Sequence, residues 1–166
     1  MQPAEGILIR PSQMQFVGRK QQIMAETLLI KGGPDYIEIN INSQPYPHGD
    51  NEWDRSWLDS TVVIQLGAFS GTFQANLQTW DFEKLLNEFR VLNSNLEHSF
   101  EYEATEQQIG FKCTTDGIGH IELSGQIMDQ CGIGNELSFI INLDQSYIPN
   151  VIEQLKRINK TFPVLR

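Results

Sequence analysis

Three histidines and two cysteines are the side chains best suited to chemistry, and their spacing limits what they could do. His48, His98 and His120 form no i, i+4 metal pair. Cys113 and Cys131 make no CxxC motif and have no histidine at zinc spacing. Two free thiols in a reducing compartment are the expectation. His120-Ile121-Glu122 shares the HxE pattern of zinc deaminases, but no PCxxC follows and the ligand set is missing. A histidine serving as general base needs a positioned partner, and the sequence identifies none. There is no GxSxG elbow, P-loop or dinucleotide fingerprint; Gly132-Ile133-Gly134 reads as a turn. Carboxylates are abundant, yet no pair stands out at the fixed separation that glycoside hydrolysis requires. Asp50-Asn51-Glu52-Trp53-Asp54 lacks the spacing and the glycine of an EF-hand loop, so it reads as solvated loop. The expectation is no catalytic residue, no metal site and no cofactor.

Charge points elsewhere. The net formal charge is −9, from 21 acidic and 12 basic residues. Residues 32–155 hold 19 acidic groups against four basic ones (Arg55, Lys84, Arg90 and Lys112), a net −15, while both ends are basic. Such a body repels phosphate backbones and anionic membranes, so neither nucleic acid nor membrane is an expected partner. It attracts a basic protein and speeds the encounter. The segment from Asp50 to Asp59 concentrates the suitable chemistry. Trp53 and Trp57 are set among Asp50, Glu52, Asp54 and Asp59, and tryptophan is favoured at binding hot spots. Asp50, Glu52, Trp53, Asp54 and Asp59 are the expected partner-binding residues. Trp53 is expected to be a partly exposed anchor. Trp57, next to the apolar phase of the following strand, is expected in the core.

The elements that must position these residues follow from periodicity. Ile23 to Lys31 mixes apolar and polar residues and ends at the turn Gly32-Gly33-Pro34. Ile37, Ile39 and Ile41 alternate with Glu38, Asn40 and Asn42, the pattern of a half-buried strand. Ser43 to Glu52 is loop. Trp53 to Leu66 follows, with Leu58, Val62, Ile64 and Leu66 in phase, and Phe69–Gln78 is the clearest period-two run. At Thr79 the period changes: Phe82, Leu85, Leu86, Phe89, Leu92 and Leu96 form a helical stripe, with Thr79 or Asp81 as cap. Strand patterns return at Phe100–Ala104, Ile109–Cys113, Ile121–Ile127 and Leu137–Leu143. A closing helix carries Ile148, Val151, Ile152, Leu155 and Ile158, with Pro149 in its first turn. Short connections favour antiparallel pairing. The expected fold is α+β: mainly antiparallel sheet of about 8 strands, two amphipathic helices near 80–97 and 146–160, and a single domain over 1–166. A chain of 166 residues buries on the order of 70% of its unfolded surface and needs no disulfide or metal. Met1–Arg10 has no secretory signal pattern, so a cytoplasmic location is expected.

Trp57-Leu58, the helix Asp81-Phe82-Glu83-Lys84-Leu85-Leu86, the segment Asp116-Gly117-Ile118-Gly119-His120-Ile121-Glu122-Leu123-Ser124-Gly125, Leu137-Ser138-Phe139, and Asp144-Gln145-Ser146-Tyr147-Ile148-Pro149 follow one another in a characteristic order and spacing. Through them about residues 53–160 resemble the WapI family of bacterial immunity proteins. The resemblance is a family-level one. It implies a non-catalytic protein that binds and neutralises a cognate toxin domain, often a nuclease. The matched residues are structural and bring no binding site with them. The alternative expectation is a small-molecule-binding domain or small enzyme with a pocket near Asp116–Glu122, where glycines, a histidine and two carboxylates gather.

Overall fold

The computed structural model describes residues 25–165. The four strands β1 (Glu26–Gly32), β2 (Asp35–Ser43), β3 (Trp57–Leu66) and β4 (Phe69–Gln78) pair in sequence order as one antiparallel sheet. The strands β5 (Phe100–Glu103), β6 (Ile109–Thr115), β7 (His120–Met128) and β8 (Glu136–Asp144) form a second. Helix α1 (Glu52–Arg55) is a single turn before β3; α2 (Thr79–Ser94) joins the sheets; α3 (Ile148–Thr161) closes the chain after a 3₁₀ turn at Gln145–Tyr147. The architecture is α+β, as the sequence predicts. Of the segment from Ile23 to Lys31, Ile23 and Met24 lie outside the described residues, and Glu26 to Lys31 fall in β1.

Alternation builds the interior. Along β3 every second residue from Leu58 to Leu66 is buried, and its intervening neighbours are half-exposed. The stripes of α2 and α3 add Phe82, Leu85, Phe89, Val151, Leu155 and Ile158, and the buried side chains of both sheets and both helices form one cluster. α3 packs on α2 and on β1, while β1 also meets β8. That contact is tight: a Cβ added to Gly32 would sit 2.0 Å from the Asn142 carbonyl oxygen, so only glycine lets the sheets approach. The predicted helix end is corrected. Asn95 takes an extended conformation (φ −142°), stopping α2 at Ser94, and Leu96 packs on the core from beyond it.

Each edge of the first sheet is closed in part by a glutamine, which periodicity does not reveal. Gln154 on α3 is buried beside β1. Its Oε1 accepts from the Leu29 amide at 2.6 Å, and its Nε2 donates to the Leu29 carbonyl at 3.4 Å. On the opposite edge Gln108 accepts from the Asn76 amide at 3.3 Å and donates to the Gln74 carbonyl at 3.2 Å. Each side chain stands in for a neighbouring strand and satisfies an edge donor and acceptor. Replacing Gln154 by Ala strips both bonds from a buried edge. The expected loss is about 1–2 kcal/mol of unfolding free energy by urea titration, with earlier amide exchange at Leu29.

Candidate functional site

The three tryptophans of the chain meet at one end of the first sheet. Trp53 lies 5.6 Å from Trp57, edge to face, and 5.3 Å from Trp80. Backbone pairing brings them together, since Trp57 opens β3 opposite Gln78 at the end of β4, and α2 begins at the next residue. The Thr79 amide donates to the Ser56 carbonyl at 2.9 Å, fixing the start of α2 against the start of β3.

Trp53 is 51% exposed, in line with the partial exposure expected of it. Its setting differs from a strand. Asn51 accepts the Asp54 amide at 2.8 Å, Glu52 and Asp54 occupy a first turn that favours acids, and the segment coils into α1. Trp57 is corrected from core to half-buried: it takes the outer phase of β3, one residue before buried Leu58. Asp50 and Glu52 are exposed. Asp54 accepts from Asn51 Nδ2 at 2.9 Å. Asp59 shares the outer face of β3 with Trp57 and accepts from Ser43 Oγ at 2.9 Å, a contact set by the register shift between Ile41 and Ser43 in β2.

Beneath the aromatic cluster lies a buried carboxylate. Asp81 Oδ2 accepts from the Gln78 amide at 2.8 Å. Its Oδ1 accepts from the Thr105 amide at 3.1 Å and from Thr105 Oγ1 at 2.9 Å. Trp80 Nε1 in turn donates to Thr105 Oγ1 at 2.9 Å. Asp81 thus caps α2 by reaching back to the preceding backbone. Burial raises its carboxyl above the usual range, opposed by the bonds from Gln78 and Thr105. Neither Trp80 nor Thr105 was singled out by sequence. The available signal was the hairpin register about Gly67-Ala68, which places Trp57 opposite Gln78.

The second candidate region, around Asp116–Glu122, is an open depression of about 660 Å³ with Asp116, His120, Asp144 and Tyr147 along its wall. His120 Nδ1 and Asp116 Oδ2 are 2.6 Å apart. Asp116 Oδ1 also accepts the Ile118 and His120 amides, so the carboxylate braces the turn between β6 and β7. Hydrogen bonds from the turn hold Asp116 below the ordinary carboxylate range, and the bond to Asp116 holds His120 above the ordinary imidazole range. Cys113 is buried, and desolvation pushes its thiol up to about 12, away from thiolate chemistry. Cys131 is exposed and free. Among the described residues no group of three His, Cys, Asp or Glu could hold a metal ion, and no helix is long and apolar enough to cross a membrane.

Together these features define an α+β protein that brings three tryptophans together at one end of its first sheet. The chain belongs to the immunity protein WapI-like family, whose sequence profile matches residues 28–163. The match reaches further toward the N-terminus than the resemblance over 53–160 and takes in most of β1 and all of β2. A role in immunity to a toxin follows at the level of the family. The comparison with curated proteins returned no match.

Two outcomes test the site. Asp81→Ala leaves the Gln78 and Thr105 amides without their acceptor; it should lower unfolding free energy by about 1–3 kcal/mol in urea and red-shift tryptophan emission as Trp80 loosens. Asp81→Asn keeps an accepting oxygen and should cost less. In an NMR titration His120 should titrate above the ordinary imidazole value of 6.5, and Asp116→Asn should bring it back toward that value. The sign follows from the pair. The raised His120 pKa favours the fold below the unfolded imidazole pKa and is lost as pH rises through the folded value. The lowered Asp116 pKa favours it above 3.8 and is lost as pH falls through the folded value. The turn is therefore best braced in mildly acidic solution.

Proposed function

We propose that this protein binds and neutralises a cognate toxin domain without catalysis, and that the toxin is basic and a nuclease. The observation that carries the reading is Trp53: a large aromatic, 51% exposed, held rigidly by Trp57 and Trp80 on a capped helical turn. Asp50, Glu52 and Asp54 are its neighbours in the chain, with Asp59 further along β3. Membership in an immunity family supports the partner class. A nuclease must be basic to hold its nucleic acid, and an acidic inhibitor can occupy that surface. A pre-ordered anchor also loses little conformational freedom on docking.

A second reading is favoured by one observation. The His120–Asp116 pair in an open depression gives the histidine the ionisable partner that the sequence did not identify. The pair then belongs to a small-molecule site. His120→Ala separates the readings: it should leave toxin neutralisation intact if the aromatic surface is the interface.

The decisive experiment expresses the toxin domain encoded beside this gene, with and without the protein. Survival only in its presence is expected; equal killing removes the proposal. With purified partners, Trp53→Ala should weaken binding by about 2 kcal/mol or more, chiefly through faster dissociation. Glu52→Gln should mainly slow association and flatten its salt dependence. Because Trp53 is half in solvent, its variant should fold, as a melting curve will verify. Unchanged affinity would move the interface elsewhere.

A further inference from the structure

The edge of β4 is only partly closed. Gln108 takes the Asn76 amide and the Gln74 carbonyl, so the backbone groups of residues 74 and 76 point away from β3. The β3–β4 register runs unbroken from Trp57↔Gln78 to Leu66↔Phe69. In an antiparallel ladder these directions alternate with period two, so the amides and carbonyls of Ser70 and Thr72 also point outward. Among the described residues neither has a partner there. Natural edges are blunted by charge, proline, bulges or cover. Phe69–Gln78 contains no Lys, Arg, Asp, Glu or Pro and has no bulge, and Phe69 is 64% exposed.

The geometry points to a second copy of this chain as the occupant, with β4 pairing antiparallel to β4 about a two-fold axis at Gly71. In that register Ser70 of each copy faces Thr72 of the other, and the four outward amides and carbonyls satisfy one another. Phe69 of each copy comes opposite Phe73 of the other, an aromatic cross-strand pair made twice. Beside Phe73 a cleft of about 530 Å³, lined by Thr72, Gln74, Gln108, Cys131 and, at its wall, Asp129, is open to receive the incoming Phe69 ring. Gly71 keeps the axis free of side chains. Two bodies of −9 repel, and β4, which carries no charged residue, is where two copies can approach with least repulsion, whereas a basic partner is drawn to the carboxylates elsewhere. The contact is small beside the roughly 1,000 Å² of a stable interface, so the dimer is weak and reversible. The proposal is independent of the toxin reading, since it needs only the pure protein.

The test is sedimentation equilibrium of the full chain over a concentration series, at about 0.1 M and 1 M salt, where screening length falls from about 10 to 3 Å. A monomer–dimer equilibrium that tightens with salt is expected, with concentration-dependent protection of the Ser70 and Thr72 amides. Thr72→Pro removes an outward donor without touching the β3 ladder, and Phe69→Asp puts a carboxylate in the contact. Either should abolish dimerisation with the melting temperature retained; if the proline variant unfolds, Phe69→Asp decides. A monomer at every concentration overturns the proposal. So does a dimer indifferent to both variants, or open-ended association. So does a monomer whose Ser70 and Thr72 amides are protected only by added toxin domain, which would give the edge to a partner's strand.

Discussion

The buried carboxylate of Asp81 joins parts of the chain that no local rule brings together. One oxygen holds the backbone leaving β4, and the other holds Thr105, just beyond β5 in the second sheet. The start of α2 is thereby fixed to both sheets, and Trp80, bonded through its ring nitrogen to Thr105, inherits that position. Trp53 and Trp57 then have a fixed wall to pack against. The arrangement has a cost: burial raises the carboxyl's pKa, so the ionised form is less at ease here than in water. Three donors nonetheless converge on it, and a buried carboxylate bonded in this way favours one geometry over near alternatives.

The chemistry of this protein sits where backbone rules place exposed groups, and its interior is mainly apolar. The buried polar side chains of Gln108 and Gln154 serve backbone edges, and Asp81 serves a helix start. The reactive candidates divide in the same way. Cys113 is buried and its thiol is held protonated, whereas His120 and Asp116 are exposed and engaged in bracing a turn. What is left for recognition is surface: aromatic rings, carboxylates and an open strand edge.

Much of the fold was legible because it rests on periodicity. The alternation in β2 and β3 and the stripes of α2 and α3 are one-dimensional records of burial, and the structure reproduces them, whereas in β4 only Ala75 and Leu77 of the apolar phase are buried and Phe69 is exposed. The failures came where one residue shifts phase. The apolar residues after Trp57 suggest a core position, yet strand parity turns it outward. The run into β3 suggests strand geometry at Trp53, yet the Asn51 cap coils that turn. Asn95, extended at the end of α2, cut short a stripe that the sequence continues to Leu96.

The candidate site was half legible for a physical reason. Asp50, Glu52, Trp53 and Asp54 are neighbours in the chain, so composition alone can gather them. Trp80 reaches the cluster only through the β3–β4 register, and Thr105 only through Asp81. Such long-range partners leave no periodic trace, because one hydrogen bond specifies each of them. The same holds for Gln108 and Gln154, glutamines at ordinary positions whose roles appear only beside a strand edge. Once register is known the inference can run in reverse. Since Gln108 marks which backbone groups of β4 face outward, it also marks, by alternation, those at Ser70 and Thr72 that it does not reach.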